Sequence, residues 1–304
     1  MGRRRPASWW VGGAQRALAW VVGVAVQGAA RLPPSMARSL GAGLGTLAYW
    51  ALSGRRRIAL ANLALAFGAR LDARERAALA RANFRHLGIT ALECCRLFVG
   101  AADVLLGRVE VEGVEHVWAA RAQGRGLFFL TAHFGNWELL AAAHRLVGGG
   151  LNVVVRPLDN PFLEALLARG RQRSGVRLIP KRAAVPGVRA ALARGDCVGI
   201  LLDQDGGPGG VAVPFFDRSA STSRSLAVLA LKTGAPVIPA FIRRLPTGGH
   251  RITLEPMIPL SGSGDRAADV AAATARFTAV IERHVRAHPD QWFWVHRRWK
   301  TAAP

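Results

Sequence analysis

The chain has 304 residues, of which 51% are apolar, and carries a formal net charge of +22, with a pI near 11.8 and a mean hydropathy of +0.19. That length suffices for a substantial core, and the charge favours anionic partners: nucleic acid, anionic lipid headgroups or an acidic carrier protein. The arginines are spread along the chain without a zinc-finger, RNP-like or basic-zipper pattern, which argues against nucleic acid, and Cys94, Cys95 and Cys197 make neither a disulfide framework nor a metal spacing, which fits a reducing setting.

In chain order, Gly2 to Pro6 carry three arginines and lead into an apolar segment with Trp9, Trp10 and Trp20. Uncharged runs lie between Arg16 and Arg31 and between Arg38 and Arg55; both fall short of the roughly 20 residues of a clean membrane span. Weakly apolar helices flanked by tryptophan and arginine read as an interfacial or hairpin anchor with its basic end on the cytoplasmic side. Two ordinary buried helices are the alternative, and a cleaved signal peptide is a further one. Arg55-Arg56-Arg57 then opens a basic amphipathic segment suited to anionic headgroups. Asp72 and Glu75 form a capping box for a long helix to about Phe98.

From Arg108 the pattern alternates. Strand-like runs occur near 108–112, 126–132, 151–155, 176–179, 197–202 and 236–242, with helical segments between most of them, one starting at Asn160-Pro161. This predicts an α/β fold with a largely parallel central sheet flanked by helices. Sites in such sheets sit at the carboxyl ends of strands, where His133, Arg156 and Asp203 all fall. Residues 203–222 read as the longest irregular stretch, a mobile functional loop whose VAVPFF segment should pack on something. Asp265 to His288 reads as one amphipathic helix with Val270, Phe277, Ile281 and Val285 on its apolar stripe. His284 and His288, at i and i+4 there, are assigned to a solvated face.

The most informative stretch is Gly126 to Leu140, GLFFLTAHFGNWELL. A short buried strand runs into His133, Gly135-Asn136 is a break, and Asn136 is an N-cap for a helix over roughly Trp137 to Val147. His133 then sits on the turn at the strand end, with Glu138 in the first turn of the helix, close enough to orient the imidazole. A histidine held by a carboxylate is a general base toward a hydroxyl. A metal site from His133, Glu138 and His144 is a weaker rival, because no cysteine or second acid sits at ligand spacing; no metal is expected.

The wording AHFGNWE resembles the late acyltransferases of lipid A biosynthesis, one branch of the wider glycerolipid and lysophospholipid acyltransferase clan. Further matches follow in order over nearly the whole chain: Leu87-Gly88 and Glu93, Arg156-Pro157 with Asn160-Pro161, Asp203-Gln204, Val213 to Phe216, Thr233 to Pro239, Gln291-Trp292 and His296 to Lys300. The Glu-Gly-Thr-Arg type motif of the wider clan is absent, and Asp203-Gln204 stands in its place. The resemblance implies an anchoring segment over 1–54 and an acyltransferase domain over 55–304. It implies transfer of an acyl group from a thioester co-substrate, acyl carrier protein or coenzyme A, to a hydroxyl of a lipid A precursor, with no other cofactor. His133 is then the base and Glu138 its orienting partner. Arg156 and the helix amides after Gly135 would serve the oxyanion, and Asn136, Asp203 and Gln204 would position substrate. Arg169, Arg171, Arg297 and Arg298 are candidates for an acceptor phosphate or the acidic carrier. The implied place is the cytoplasmic face of a cell inner membrane, and the implied state a monomer. A phosphatidylinositol mannoside or other glycolipid is the alternative acceptor, and a thioesterase or lipid hydrolase the alternative activity.

Overall fold

A computed structural model of the protein describes residues 9–155, 160–260 and 262–301. Its strands are β1 Val109–Glu112, β2 Leu127–Thr131, β3 Leu151–Val155, β4 Val176–Pro180, β5 Cys197–Leu201, β6 Val211–Phe215, β7 Arg218–Thr222, β8 Val237–Arg244 and β9 His250–Leu254. Its helices are α1 Trp9–Arg31, α2 Pro34–Ala51, α3 Ser53–Phe67, α4 Ala73–Val99, α5 Asp103–Leu106, α6 Val114–Arg121, α7 Trp137–Ala142, α8 His144–Val147, α9 Pro161–Arg173, α10 Ala184–Ala193, α11 Ser225–Thr233 and α12 Arg266–Ala287.

The expected sheet is present, in the order β1-β9-β8-β2-β5-β3-β4. All neighbours are parallel except β8 and β9. Strand β2 lies inside it, and alternate residues feed two apolar clusters: Phe128 and Leu130 with Phe241, Phe277, Trp292 and Trp294, and Leu127 and Phe129 with Leu139, Ile238 and Ile252. A strand buried on both faces reads as an unbroken apolar run, which is why its sequence shows no alternation. The capping box closes on α4, with Glu75 N–H donating to Asp72 at 2.8 Å and Asp72 N–H to Glu75 at 2.7 Å. Asn160 caps α9 ahead of Pro161, and the named stripe of α12 is buried.

Three expectations are corrected. Residues 211–222 are not an irregular loop but a hairpin, β6 paired antiparallel with β7 through the two-residue turn Phe216-Asp217. Both turn residues take positive φ, 54° and 58°, the geometry that normally selects Asn-Gly. Tertiary contacts offset the cost: Phe216 is buried, its N–H donates to Glu282 at 2.6 Å, and the Arg286 guanidinium stands over its ring. Strand β9, with its alternating HRITL, was not anticipated. His284 does not face solvent; its ring stacks on Phe241 with centroids 3.8 Å apart, and Nε2 lies 2.7 Å from Glu255 Oε1.

Helices α1 and α2 both pack along α4. The α2–α4 crossing is backbone to backbone: a Cβ on Gly45 would lie 2.2 Å from the Phe84 carbonyl, and one on Gly88 would lie 2.1 Å from the Gly41 carbonyl. Small residues spaced by four allow this approach. The outward faces are apolar, with Trp20 (71% exposed), Leu40, Leu44, Leu47 and Trp50 open to the surroundings. Among the described residues no helix is long and apolar enough to cross a membrane.

Candidate active site

The parallel register builds the site. Thr131 at the end of β2 pairs with Leu201 at the end of β5, so two residues further His133 meets Asp203. His133 Nδ1 lies 2.9 Å from Asp203 Oδ1, and the His133 amide donates to Asp203 Oδ2 at 3.0 Å. Trp292 Nε1–H donates to the same Oδ2 at 2.8 Å. An ionised carboxylate only accepts, so Nδ1 carries the proton and the Nε2 lone pair is left free. The Trp137 and Phe293 rings flank the imidazole, with centroids at 5.2 and 5.9 Å.

Burial by itself lowers the basicity of His133, but the Asp203 charge and hydrogen bond, with a smaller contribution from the Glu138 charge, more than offset it and leave its pKa raised. Burial pushes the Asp203 carboxyl up; the His133 charge and the bonds from His133 and Trp292 outweigh this and hold it below the usual range.

Glu138 therefore does not hold the imidazole by a hydrogen bond. Its two oxygens accept a bidentate pair from Arg171, Nε at 3.0 Å and Nη2 at 2.6 Å. Arg171 is thus committed to Glu138 and is not an open phosphate ligand. The turn explains the geometry: Gly135 has a φ of 59°, and a Cβ there would sit 1.8 Å from the Ile242 carbonyl. With the chain kinked at Gly135, α7 directs Glu138 toward α9.

Asn136 is fully buried and faces inward rather than toward substrate. Its Oδ1 caps Leu139 N at 3.0 Å, and its Nδ2 donates to Glu93 Oε2 at 2.8 Å. The Leu139 amide is thereby used, so one of the amides expected at the oxyanion is taken. Glu93 also pairs with Arg244, and His250 Nε2 lies 3.3 Å away. Burial raises the Glu93 carboxyl, but His250 and Arg244 prevail and lower it to about 2. His86, brought down to about 3 mainly by burial and the Arg244 charge, donates from Nε2 to the Gly135 carbonyl at 3.1 Å. Behind the turn, Gln291 accepts from the Gly135 amide at 2.9 Å, and Phe293 N–H donates to the His133 carbonyl at 3.0 Å. This clamp from α4 and the C-terminal segment was not anticipated as site structure. Its signals in the chain were Glu93 and Gln291-Trp292.

Arg298 is wholly buried and so belongs to no docking patch. It donates to the Ser221 carbonyl and the Thr222 hydroxyl, lies over the Phe215 ring, and burial lowers its pKa to about 10. Gln204, Arg169 and Arg297 are exposed, and Arg156 lies outside the described residues. His144 donates to the Ala141 carbonyl. Among the described residues no group of three His, Cys, Asp or Glu side chains could hold a metal ion.

A basic histidine backed by a buried aspartate at a sheet edge, with no serine or cysteine hydrogen-bonded to it among the described residues, is an arrangement that can deprotonate a hydroxyl or water. The family model for bacterial lipid A biosynthesis acyltransferases matches residues 7–301. The chain is 31% identical to the lipid A biosynthesis lauroyltransferase of Escherichia coli K12, over 89% of this chain and 87% of that one. It is 30% identical to the palmitoleoyltransferase of the same organism, over the same shares. A more distant relative is the phosphatidylinositol mannoside acyltransferase of Mycolicibacterium smegmatis, 25% identical over 63% of this chain and 62% of that one. The protein belongs to the bacterial lipid A biosynthesis acyltransferase family and is an acyltransferase.

Proposed function

We propose that the protein moves a fatty acyl group from an acyl carrier protein thioester to a hydroxyl of a lipid A precursor, at the cytoplasmic face of the inner membrane, with His133 as base and Asp203 as its partner. The observation that carries the mechanism is the 2.9 Å contact from His133 Nδ1 to a buried Asp203 that is also held by Trp292 and the His133 amide. His133 Nε2 takes the proton of the acceptor hydroxyl as its oxygen attacks the thioester carbonyl. The tetrahedral intermediate collapses by breaking the C–S bond, and the imidazolium returns the proton to the leaving thiolate. An ester and a free thiol result, with no covalent enzyme intermediate. Asp203 stabilises the imidazolium formed on the way.

Glu138, salt-bridged to Arg171, acts from further off by its charge. The apolar outer faces of α1 and α2 support seating on a bilayer surface, with Trp20 and Trp50 at the headgroup level. The net charge of +22 suits both anionic headgroups and an acidic carrier.

The test is an assay of the full chain in detergent, with acyl-loaded carrier protein and a tetraacylated lipid A precursor, read by mass spectrometry. The expected product carries one added acyl group. Intact donor with no product would move the acceptor to another glycolipid, such as a phosphatidylinositol mannoside. Donor loss that ignores the acceptor would make the enzyme a thioesterase.

A further inference from the structure

Two concave surfaces adjoin beside the site. The first, of about 840 Å³, is ringed by Arg55, Arg57, Arg297 and Lys300 over a floor that includes Ile58 and Trp299. The second is a trough of about 610 Å³ between α2 and α4, lined by Leu44, Ala48, Leu87, Leu92 and Phe293. Leu52 and Arg55 line both, so the two are neighbours. Phe293 brings the trough to the catalytic imidazole, 5.9 Å from its ring. At the other end, Leu44 belongs to the exposed apolar face of α2.

No acidic residue lines the basin, and among the described residues none of its four cations is in an ion pair. All four side chains are exposed. Their placement is built in. Arg298 is buried against β7, and with that residue facing in, Arg297 on one side and Lys300 beyond face out. Arg55 is steadied by donating to the Val295 carbonyl at 3.2 Å.

We propose that this basin binds a phosphate group of the lipid acceptor while the adjoining trough takes hydrocarbon of the same molecule. The inference rests on the acyl-transfer reading and names where that acceptor is gripped. Four cations around an apolar floor match an amphiphile with a phosphorylated head; guanidinium forks pair with phosphate oxygens in a bidentate manner. A trough that runs from an apolar outer face to the base suits a substrate arriving from a bilayer with its chains still partly in lipid.

The test uses the full chain in neutral detergent and two probes: a tetraacylated lipid A precursor and the same molecule stripped of phosphate. Equilibrium binding without donor should favour the phosphorylated form by on the order of tenfold or more. The Arg57→Gln/Arg297→Gln double variant should bind both forms alike. In turnover it should raise the acceptor KM by a similar factor while kcat and the donor KM hold. An Arg55→Gln/Lys300→Gln variant repeats the test should the first pair fail to fold. Variants that keep the phosphate preference, or that raise only the KM for the carrier thioester, would overturn the proposal. A parent enzyme that binds with phosphate preference yet transfers nothing to the lipid A precursor would sink that molecule as the acceptor and leave the phosphate-binding basin standing. A parent with the same kcat/KM for both probes would do the reverse.

Discussion

Two carboxylates flank the same imidazole and are held in opposite ways. On the β5 side Asp203 has 2% of its side chain exposed and is tied to His133 itself, to the His133 amide and to the Trp292 indole. On the α7 side Glu138 is 12% exposed and spends both oxygens on Arg171. The first arrangement fixes a tautomer and a ring orientation; the second leaves Glu138 to influence the ring through its charge. Of the two carboxylates, only Asp203 has its lone pairs aimed at the ring.

The largest effect tests the premise. His133→Ala should lower acyl transfer by about 10⁴-fold, the upper range for loss of a general base, measured as single-turnover ester formation. Retention of more than a tenth of the rate would remove the base from the mechanism and end the comparison. Asp203→Asn should cost about 10³-fold, the middle of the range for general-base catalysis, and carry a pH signature. Only neutral His133 accepts a proton, and its pKa is raised above 6.5, so the parent's kcat/KM should fall as pH drops through a value above 6.5. Without the Asp203 charge the opposing effect of burial prevails, and the acid limb should move to lower pH. A limb that stays in place would show that Asp203 does not set the basicity of His133.

Glu138→Gln is the sharper discriminator. Its charge is a lesser contributor to His133 than that of Asp203, so we expect a loss of about tenfold, the scale of an interaction worth roughly 1–2 kcal/mol, and a smaller shift of the acid limb in the same direction. A loss equal to that of Asp203→Asn would mean that the salt bridge to Arg171 opens during turnover and that Glu138 reaches the ring.

Why one partner was legible in the chain and the other was not has a physical answer. The strand into His133, the Gly135-Asn136 break and the Asn136 cap are local features, and they read directly. Asp203 could be placed on the same sheet edge, but its pairing with His133 depends on β2 and β5 being neighbours in a register that matches Thr131 with Leu201, which no local pattern encodes. Glu138 gained its assigned role from closeness in sequence, which the positive φ of Gly135 undoes. The β6–β7 hairpin was hidden because Phe216-Asp217 lacks the Asn-Gly chemistry of its turn; Glu282 and Arg286, far along the chain, impose it. Arg298 sits in a basic tail, and nothing short of the packing of β7 separates it from its exposed neighbours.

The smallest effect probes how far the β5 side is over-determined. Trp292→Phe deletes one of the three donors to Asp203 while keeping an aromatic ring in a site bounded by Phe215 and Trp294. The remaining two bonds both come from His133, one from its ring and one from its amide. They tie the carboxylate to the residue it must orient, so the pair should survive as a unit. A net hydrogen bond of about 1 kcal/mol corresponds to roughly a fivefold loss in kcat, with the acid limb still above 6.5 because the Asp203 charge is intact. Thermal melting separates this from simple loosening: removing part of a buried indole should also lower stability by about 1–3 kcal/mol. If kcat instead falls as far as in Asp203→Asn, the indole is what aims the carboxylate, and the C-terminal segment, more than the sheet register, sets the geometry of the base.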